Sequence, residues 1–320
     1  MKREKTKLIT SIGGQALMEG IMMRGPFKTT VAVRKADGTI EMEEIQPLNL
    51  TKKYKILRLP ILRGVAAMID SLVTGEKALM MSADKALEGE EVPEEELSKF
   101  DIWMNEHLGE KTVKVLMAIS TIIAVLFCVG VFYFLPTFLF NLTAKAFPFM
   151  NDAMIWRSAY EGIIRIILFL IYMSLCTLNK DIKRVFRYHG AEHKTIFCYE
   201  YGLELNVENV KKQRRFHPRC GTSFLVLMLI VGILIGLFIP FTSVVLRSVT
   251  KILLLPLTVG IGYELIKVCG KHDNIITRII AAPGMWMQHI TTKEPTDDMI
   301  EVAIQAMNDV IPENGEDRIA

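Results

Sequence analysis

Tyr188-His189-Gly190-Ala191-Glu192-His193-Lys194 places two imidazoles and a carboxylate within little more than one helical turn. On a helix, positions i, i+3 and i+4 share a face, so His189, Glu192 and His193 can converge on one point. His-x-x-Glu-His is the inverted zincin order, in which two histidines bind Zn2+ and the glutamate serves as general base toward water. The plain alternative is a pair of helix histidines flanked by basic residues. A second cluster, His217-Pro218-Arg219-Cys220-Gly221, adds a histidine and a thiol at His-x-x-Cys spacing. A mixed nitrogen and sulfur set suits Zn2+. The candidate ligands are therefore His189, His193, His217 and Cys220, with Glu192 as the candidate catalytic base. Three protein ligands leave a position open to water and permit catalysis, whereas four close a tetrahedron and make a structural site. The spacing leaves that count open. Glu200 falls further along the same face if the helix persists, but its simpler reading is a solvated glutamate before Tyr201-Gly202. Cys198 falls off that face.

The elements that must position these residues are mostly apolar. Hydrophobic residues make up 51% of the 320-residue chain and mean hydropathy is positive, which argues against a purely soluble protein. Eighteen methionines suit apolar, adaptable packing. A net charge of +3 excludes a global polyelectrolyte role, and no aromatic-interleaved basic pattern supports nucleic-acid binding. Five cysteines show no spacing of a secreted disulfide framework. Cys128 and Cys176 sit inside apolar runs and read as small buried hydrophobes. The charged start Met-Lys-Arg-Glu-Lys-Thr-Lys is not followed by a signal-peptide core.

Turn pairs at Gly13-Gly14, Gly25-Pro26 and Asp37-Gly38 bracket short runs at 15–23, 29–34 and 39–46. Residues 30–34 and 40–43 around Asp-Gly predict a hairpin, so a small β-unit is expected at 8–50. Gly13-Gly14 opens no phosphate loop, because no Gly-x-x-x-x-Gly-Lys-Ser/Thr follows. Residues 58–87 carry a broad apolar helical face interrupted by Gly64, Asp70 and Gly75, which predicts two amphipathic helices or one kinked one, on the membrane or against the bundle, with an ordinary core helix as the plain alternative. An acidic run at 88–96 reads as a solvated linker. Four apolar segments follow at 113–140, 159–178, 222–246 and 252–268, each about the ~20 residues that cross a bilayer core. Glu264 near the end of the fourth reads as an i,i+3 partner of Lys267, or as a group aimed into the bundle; Glu161 and Arg165 admit the same two readings. Ala282-Pro283-Gly284 reads as a turn, and Thr296-Asp297-Asp298 caps a helix through about Val310.

Lys180, Lys183, Arg184, Arg187, Lys194, Lys211, Lys212, Arg214, Arg215 and Arg219 crowd the connection between the second and third segments. The positive-inside rule then puts that loop and both termini in the cytosol. The cytosol is reducing, which favours metal ligation over a disulfide for Cys220. The expected fold is an α-helical membrane protein with about four transmembrane helices, a small N-terminal cytosolic α+β region and a cytosolic C-terminal helix. The expected divisions are 1–112, a membrane domain at 113–268 carrying the loop 179–221, and a tail at 269–320.

Several separated blocks, in order, resemble the bacterial YqhQ-like family, also called DUF1385. They are Gly13-Gly14-Gln15-Ala16-Leu17-Met18-Glu19-Gly20-Ile21-Met22-Met23-Arg24, Arg63-Gly64, the 188–194 motif, His217-Pro218-Arg219-Cys220-Gly221-Thr222-Ser223-Phe224 and Thr291-Thr292-Lys293-Glu294-Pro295. The resemblance implies a multi-pass bacterial membrane protein described as a metal-dependent enzyme, and it carries no substrate with it. The expectation is a zinc-dependent hydrolase in the plasma (inner) membrane, acting on a membrane-associated substrate. The alternative is a non-enzymatic membrane scaffold whose structural zinc fixes a docking surface for a cytosolic protein partner. Arg214, Arg215 and Arg219 are candidates to meet anionic lipid headgroups, with Arg219 snorkelling toward them. A transporter has little support, since intramembrane charges are few and near segment ends.

Overall fold

The computed structural model describes residues 8–88, 110–151, 153–271 and 274–318. The 88–96 acidic run, apart from Glu88, lies outside the described residues, as does the charged start. Four strands, β1 (Gly13–Leu17), β2 (Gly20–Arg24), β3 (Thr29–Arg34) and β4 (Ile40–Glu44), form an antiparallel meander in that order. Apart from short helical turns at Leu50–Lys53, Lys55–Arg58 and Pro148–Asn151, the helices of the described residues are α1 (Leu62–Leu87), α2 (Glu110–Val129), α3 (Leu135–Ala146), α4 (Met154–Cys176), α5 (Lys180–Glu200), α6 (Val207–Lys211), α7 (Gly221–Gly236), α8 (Val244–Leu253), α9 (Leu255–Lys271), α10 (Ile275–Thr291) and α11 (Asp297–Val310). A π-helical turn at Gly130–Phe134 joins α2 to α3. The chain divides into two compact units, one of residues 1–88, 170–232 and 254–320, the other of 89–169 and 233–253.

In the first unit the sheet is covered on both faces, which is why β2 and β3 read as nearly continuous apolar runs. Successive side chains of a strand point to opposite faces. Ile21, Met23 and Ala32 accordingly join Tyr188 and Ala191 of α5 and Met299, Ile300 and Met307 of α11 in one core. Leu17, Met22, Val31 and Val33 join Ala78 of α1 in another. The hairpin expected around Asp37-Gly38 forms as β3–β4, and the run at 15–23 is itself a hairpin, turning at Met18-Glu19 with Glu19 at φ 47°.

Residues 62–87 form one uninterrupted helix rather than two or a kinked one. Its glycines are contact points, not breaks: Gly64 lies against Tyr263 and Gly260 of α9, and Gly75 against the Gln15 side chain. Asp70, the polar interruption, accepts from Arg24 at 2.5 Å. Ala282-Pro283-Gly284 is likewise not a turn but the middle of α10. A Cβ on Gly284 would meet the Ser223 backbone, so the glycine serves a close helix approach. Glu264 pairs with Arg63, whose Nε and Nη2 each donate to one carboxylate oxygen, rather than chiefly with Lys267. The C-terminal helix begins after Thr296 and ends at Val310, as its cap and stripe predict.

Two helical stretches are long and apolar enough to cross a membrane, Ala118–Ala146 through the π turn and Met154–Cys176; Val244–Leu253 with Leu255–Gly270 would make a third if taken as one broken span. The run at 222–246 does not continue as one helix. α7 stops at Gly236 after 16 residues, and residues 237–243 around Pro240 are not helical. In the second unit, the carbonyls this break exposes are collected by arginine: Arg247 donates to Ile239 at 2.6 Å and Gly236 at 3.0 Å, and Arg157 to Thr242 at 2.8 Å.

Gly190 tests the first unit's packing. Alanine favours a helix interior over glycine by about 1 kcal/mol, yet a Cβ at 190 would overlap the Lys293 carbonyl oxygen. Gly190→Ala is expected to lower the thermal midpoint of the detergent-solubilised protein. A midpoint equal to or above wild type would remove this close approach.

Candidate functional site

α5 begins at Asn179, whose side chain accepts from the amides of Asp181 and Ile182 at 2.8 and 3.1 Å. From Tyr188 onward it is buried nearly all round, polar residues included: Glu192, His193, Lys194, Thr195 and Glu200 are all enclosed. A helix of that composition is stable inside only if each polar group finds a partner. The surrounding segments supply most of them, leaving Glu192 Oε2, His193 Nε2 and Thr195 Oγ1 buried without one.

Glu19, at the tip of the β1–β2 hairpin, accepts from Arg184 at 2.6 Å and from the Tyr188 hydroxyl at 3.2 Å. That contact lays β1 along α5 and brings Gly14 over Glu192, where a Cβ would sit 3.0 Å from the carboxyl carbon. The Thr291–Pro295 stretch crosses the other side of α5. Lys293 donates its amide to the Phe186 carbonyl at 2.8 Å, and the Glu294 carboxylate meets Lys194 at 2.8 Å and Arg215 at 3.1 Å.

The imidazoles of His189 and His193 are 4.4 Å apart between ring centroids, as one helical turn requires. His189 Nδ1 donates to the Thr291 carbonyl at 2.9 Å, and His193 Nδ1 donates to the Arg215 carbonyl at 2.5 Å. Both rings therefore carry the proton on Nδ1 and turn Nε2 inward. His189 Nε2 lies 3.1 Å from Cys220 Sγ, while His193 Nε2 is buried without a hydrogen-bond partner. One donor atom from each of His189, His193 and Cys220 lies within 4.8 Å of the others. Metal-binding histidines characteristically donate their second ring nitrogen to a carbonyl or carboxylate, which fixes the tautomer and raises basicity. The donor set thus fits a divalent cation that accepts nitrogen and sulfur.

Cys220 precedes α7 and accepts the first-turn bonds of Ser223 and Phe224 on its carbonyl. Burial works against its thiolate, but His189 and His193 beside it hold the thiol well below its ordinary range. For His189 burial opposes the charge, and the facing Cys220 sulfur nonetheless raises it to about 9. Glu192 is pushed upward, first by burial and against the pull of both histidines, and its Oε2 has no hydrogen-bond partner.

His217 lies beside this trio, its ring centroid 5.5 Å from that of His193. Its nitrogens face other groups: Nδ1 accepts from the Arg219 amide at 3.3 Å, and Nε2 is 3.8 Å from Glu200. Its backbone is held at both ends by Gln288, at 2.7 Å each. Burial, chiefly, lowers His217 to about 4. Glu200, rather than being solvated, is 2% exposed. Burial pushes its carboxyl up, but His217, Arg219 and the Thr10 amide hold it below the usual range. Arg219 turns inward to Glu200 and the Thr10 carbonyl, not outward to headgroups. The roles of Gly14, Thr291, Arg215 and Gln288 had no local signal, although Gly14 and Thr291 fall in the family blocks, because three act through the backbone and all act across the chain.

A family model described as "Protein of unknown function (DUF1385)" matches residues 59–313. The chain belongs to that family. It is also 36% identical over 312 residues to the "Uncharacterized protein YqhQ" of Bacillus subtilis (strain 168), covering 96% of this chain and 94% of that relative. No solved structure matches.

Removing Arg219 would take from the buried Glu200 its guanidinium partner, and breaking a buried pair costs about 3–5 kcal/mol. Arg219→Ala is expected to lower stability by that order in chemical denaturation, and Arg219→Ala with Glu200→Gln to recover most of it. Because the folded Glu200 carboxyl titrates below its unfolded value, its contribution is present above the ordinary carboxylate range and fades as pH falls through the depressed pKa. An Arg219→Ala midpoint equal to wild type at neutral pH would show that Glu200 does not depend on Arg219.

Proposed function

We propose that this DUF1385 protein is a zinc-dependent hydrolase of the plasma (inner) membrane, acting from the cytosolic face on a membrane-associated substrate, peptide or lipid-linked. The observation that carries the metal reading is the pair of imidazoles with Nδ1 committed to carbonyls and Nε2 turned toward one point, His193 Nε2 lacking any partner. His189, His193 and Cys220 would hold the ion, leaving room for a fourth ligand. A bound Zn2+ supplies Lewis acidity and lowers the pKa of water in its sphere. Glu192 is the proton acceptor in this reading, with Oε2 buried and uncommitted and a carboxyl that burial raises above its ordinary range. The Gly14 amide steadies its charged form.

Four crossings are proposed, from 113–140, 159–178, 222–246 and 252–268, with the third counted despite the break after Gly236. The ten basic residues between the second and third crossings argue for a cytosolic loop and cytosolic termini. Anionic headgroups would then lie near the exposed cations of that loop, Arg214 among them.

One observation favours a second reading. His217 has its ring centroid 5.5 Å from that of His193; turned away from Arg219 and Glu200 it would offer a fourth protein ligand, which would close the sphere and make a structural zinc in a membrane scaffold for a cytosolic partner.

Metal analysis of purified protein is expected to find about one Zn2+ per chain, with most of it lost in His189→Ala and in His193→Ala. Metal-free wild type would overturn both readings. Glu192→Gln is expected to keep the metal and lose about 10²–10⁴-fold in turnover, seen as failure to complement a deletion strain. Full complementation by Glu192→Gln would leave the scaffold.

A further inference from the structure

The second unit buries more positive charge than its own carboxylates balance. On α4, Ser158, Glu161 and Arg165 share one face, with Arg157 at its edge. α8 turns Arg247 and Lys251 toward that face. Arg157, Arg165, Arg247 and Lys251 are all at most 8% exposed, and Glu161 is the one carboxylate among the described side chains of this unit. Burying unpaired charge is costly, and ionisable groups inside apolar segments mark functional sites by default.

The four cations are not equivalent. Arg247 is fully engaged, with Nε shared between the two Glu161 oxygens at 3.0 Å and its other nitrogens on Ser158 and the carbonyls of Gly236 and Ile239. Arg157 is used on Thr242 and Asn141 and stacks over the Phe140 ring. Those two explain themselves as caps on the break after α7. Lys251 must share Glu161 with Arg247. Arg165 has less. Its Nε donates to the Phe132 carbonyl at 2.9 Å, its guanidinium lies over the Tyr133 ring at 5.1 Å, and its Nη2 is buried with no hydrogen-bond partner. Phe132 and Tyr133 belong to the π-helical turn, a distortion often found at functional sites.

We propose that this face binds one phosphate group, with Arg165 as its principal donor and Lys251 beside it. A guanidinium edge matches the oxygens of a phosphate, and the bound anion would balance the excess cations. A phospholipid headgroup or free phosphate could supply that chemistry. The lipid source rests on the membrane reading above; the anion site does not, and it stands apart from the zinc assignment, which metal analysis decides separately.

The full-length protein, delipidated in dodecyl maltoside (a detergent without phosphate), would be titrated with phosphatidylglycerol, with diacylglycerol as the phosphate-free control, and with inorganic phosphate, reading the thermal midpoint. A rise with phosphatidylglycerol alone assigns a lipid headgroup, and a rise with inorganic phosphate as well assigns a free phosphate. Arg165→Gln is expected to weaken the response by about tenfold in half-saturating concentration, the loss expected for one charge-assisted hydrogen bond. Arg165→Lys, which keeps the charge without the fork, is expected to fall between them and serves if the glutamine variant does not fold. No midpoint shift in wild type with either phosphate compound, a shift of the same size with diacylglycerol, or an unaltered response in both Arg165 variants overturns the proposal.

Discussion

A helix whose enclosed turns carry Glu192, His193, Lys194, Thr195 and Glu200 is the constraint on which the first unit turns. Hydrophobic packing cannot bury such a helix by itself, because each polar group taken from water must be met by another. The solution here uses backbone more than side chains. Carbonyls of Thr291 and Arg215 take the imidazole protons, the carbonyl of Lys211 takes the Lys194 ammonium, and the amides of Gly14 and Thr10 reach Glu192 and Glu200. Backbone groups on packed segments do not swing as side chains do, so the rings they hold are fixed in tautomer and direction. The hairpin, the 291–295 stretch and the helix α10 are arranged as they are because α5 is polar inside.

What could be read in the sequence was local. The spacing of His189 and His193 places them on one face, the Asp-Gly pair forms its hairpin, and α11 starts after Thr296. Errors arose where tertiary packing outweighed local chemistry. Pro283-Gly284 has the composition of a turn, but Gly284 is there to let α10 meet Ser223. Gly64 and Gly75 look like helix interruptions and are contact points instead. Glu200 looks solvated because its partners, Thr10 and Arg219, are distant in the chain. The direction of the His217 ring is set by neighbours no spacing rule can supply, Gln288 above all.

The apolar segments show the same limit in another form. Composition identifies a long apolar run at 222–246, but whether it stays helical depends on what receives the carbonyls released near Pro240. Arg247 and Arg157 receive them, and so make a helix break tolerable in apolar surroundings. Membership of the DUF1385 family covers these stretches as well as the histidine helix.

The bond between Thr10 and Asp317 joins residues 307 positions apart, and Ser11 donates to the Asp317 carbonyl at 2.6 Å. Thr10 in turn donates to Glu200, beside the histidines. Segments around Thr10 and Asp317 therefore close over the Glu200 side of the centre. During synthesis Glu200 and the imidazoles leave the ribosome long before the Thr291 carbonyl and Asp317 exist. Until residues beyond 290 are made, the His189 ring lacks the carbonyl that takes its Nδ1 proton, although the Arg215 carbonyl is already there for His193. The geometry of the centre is therefore completed late, only once the chain has grown past Thr291.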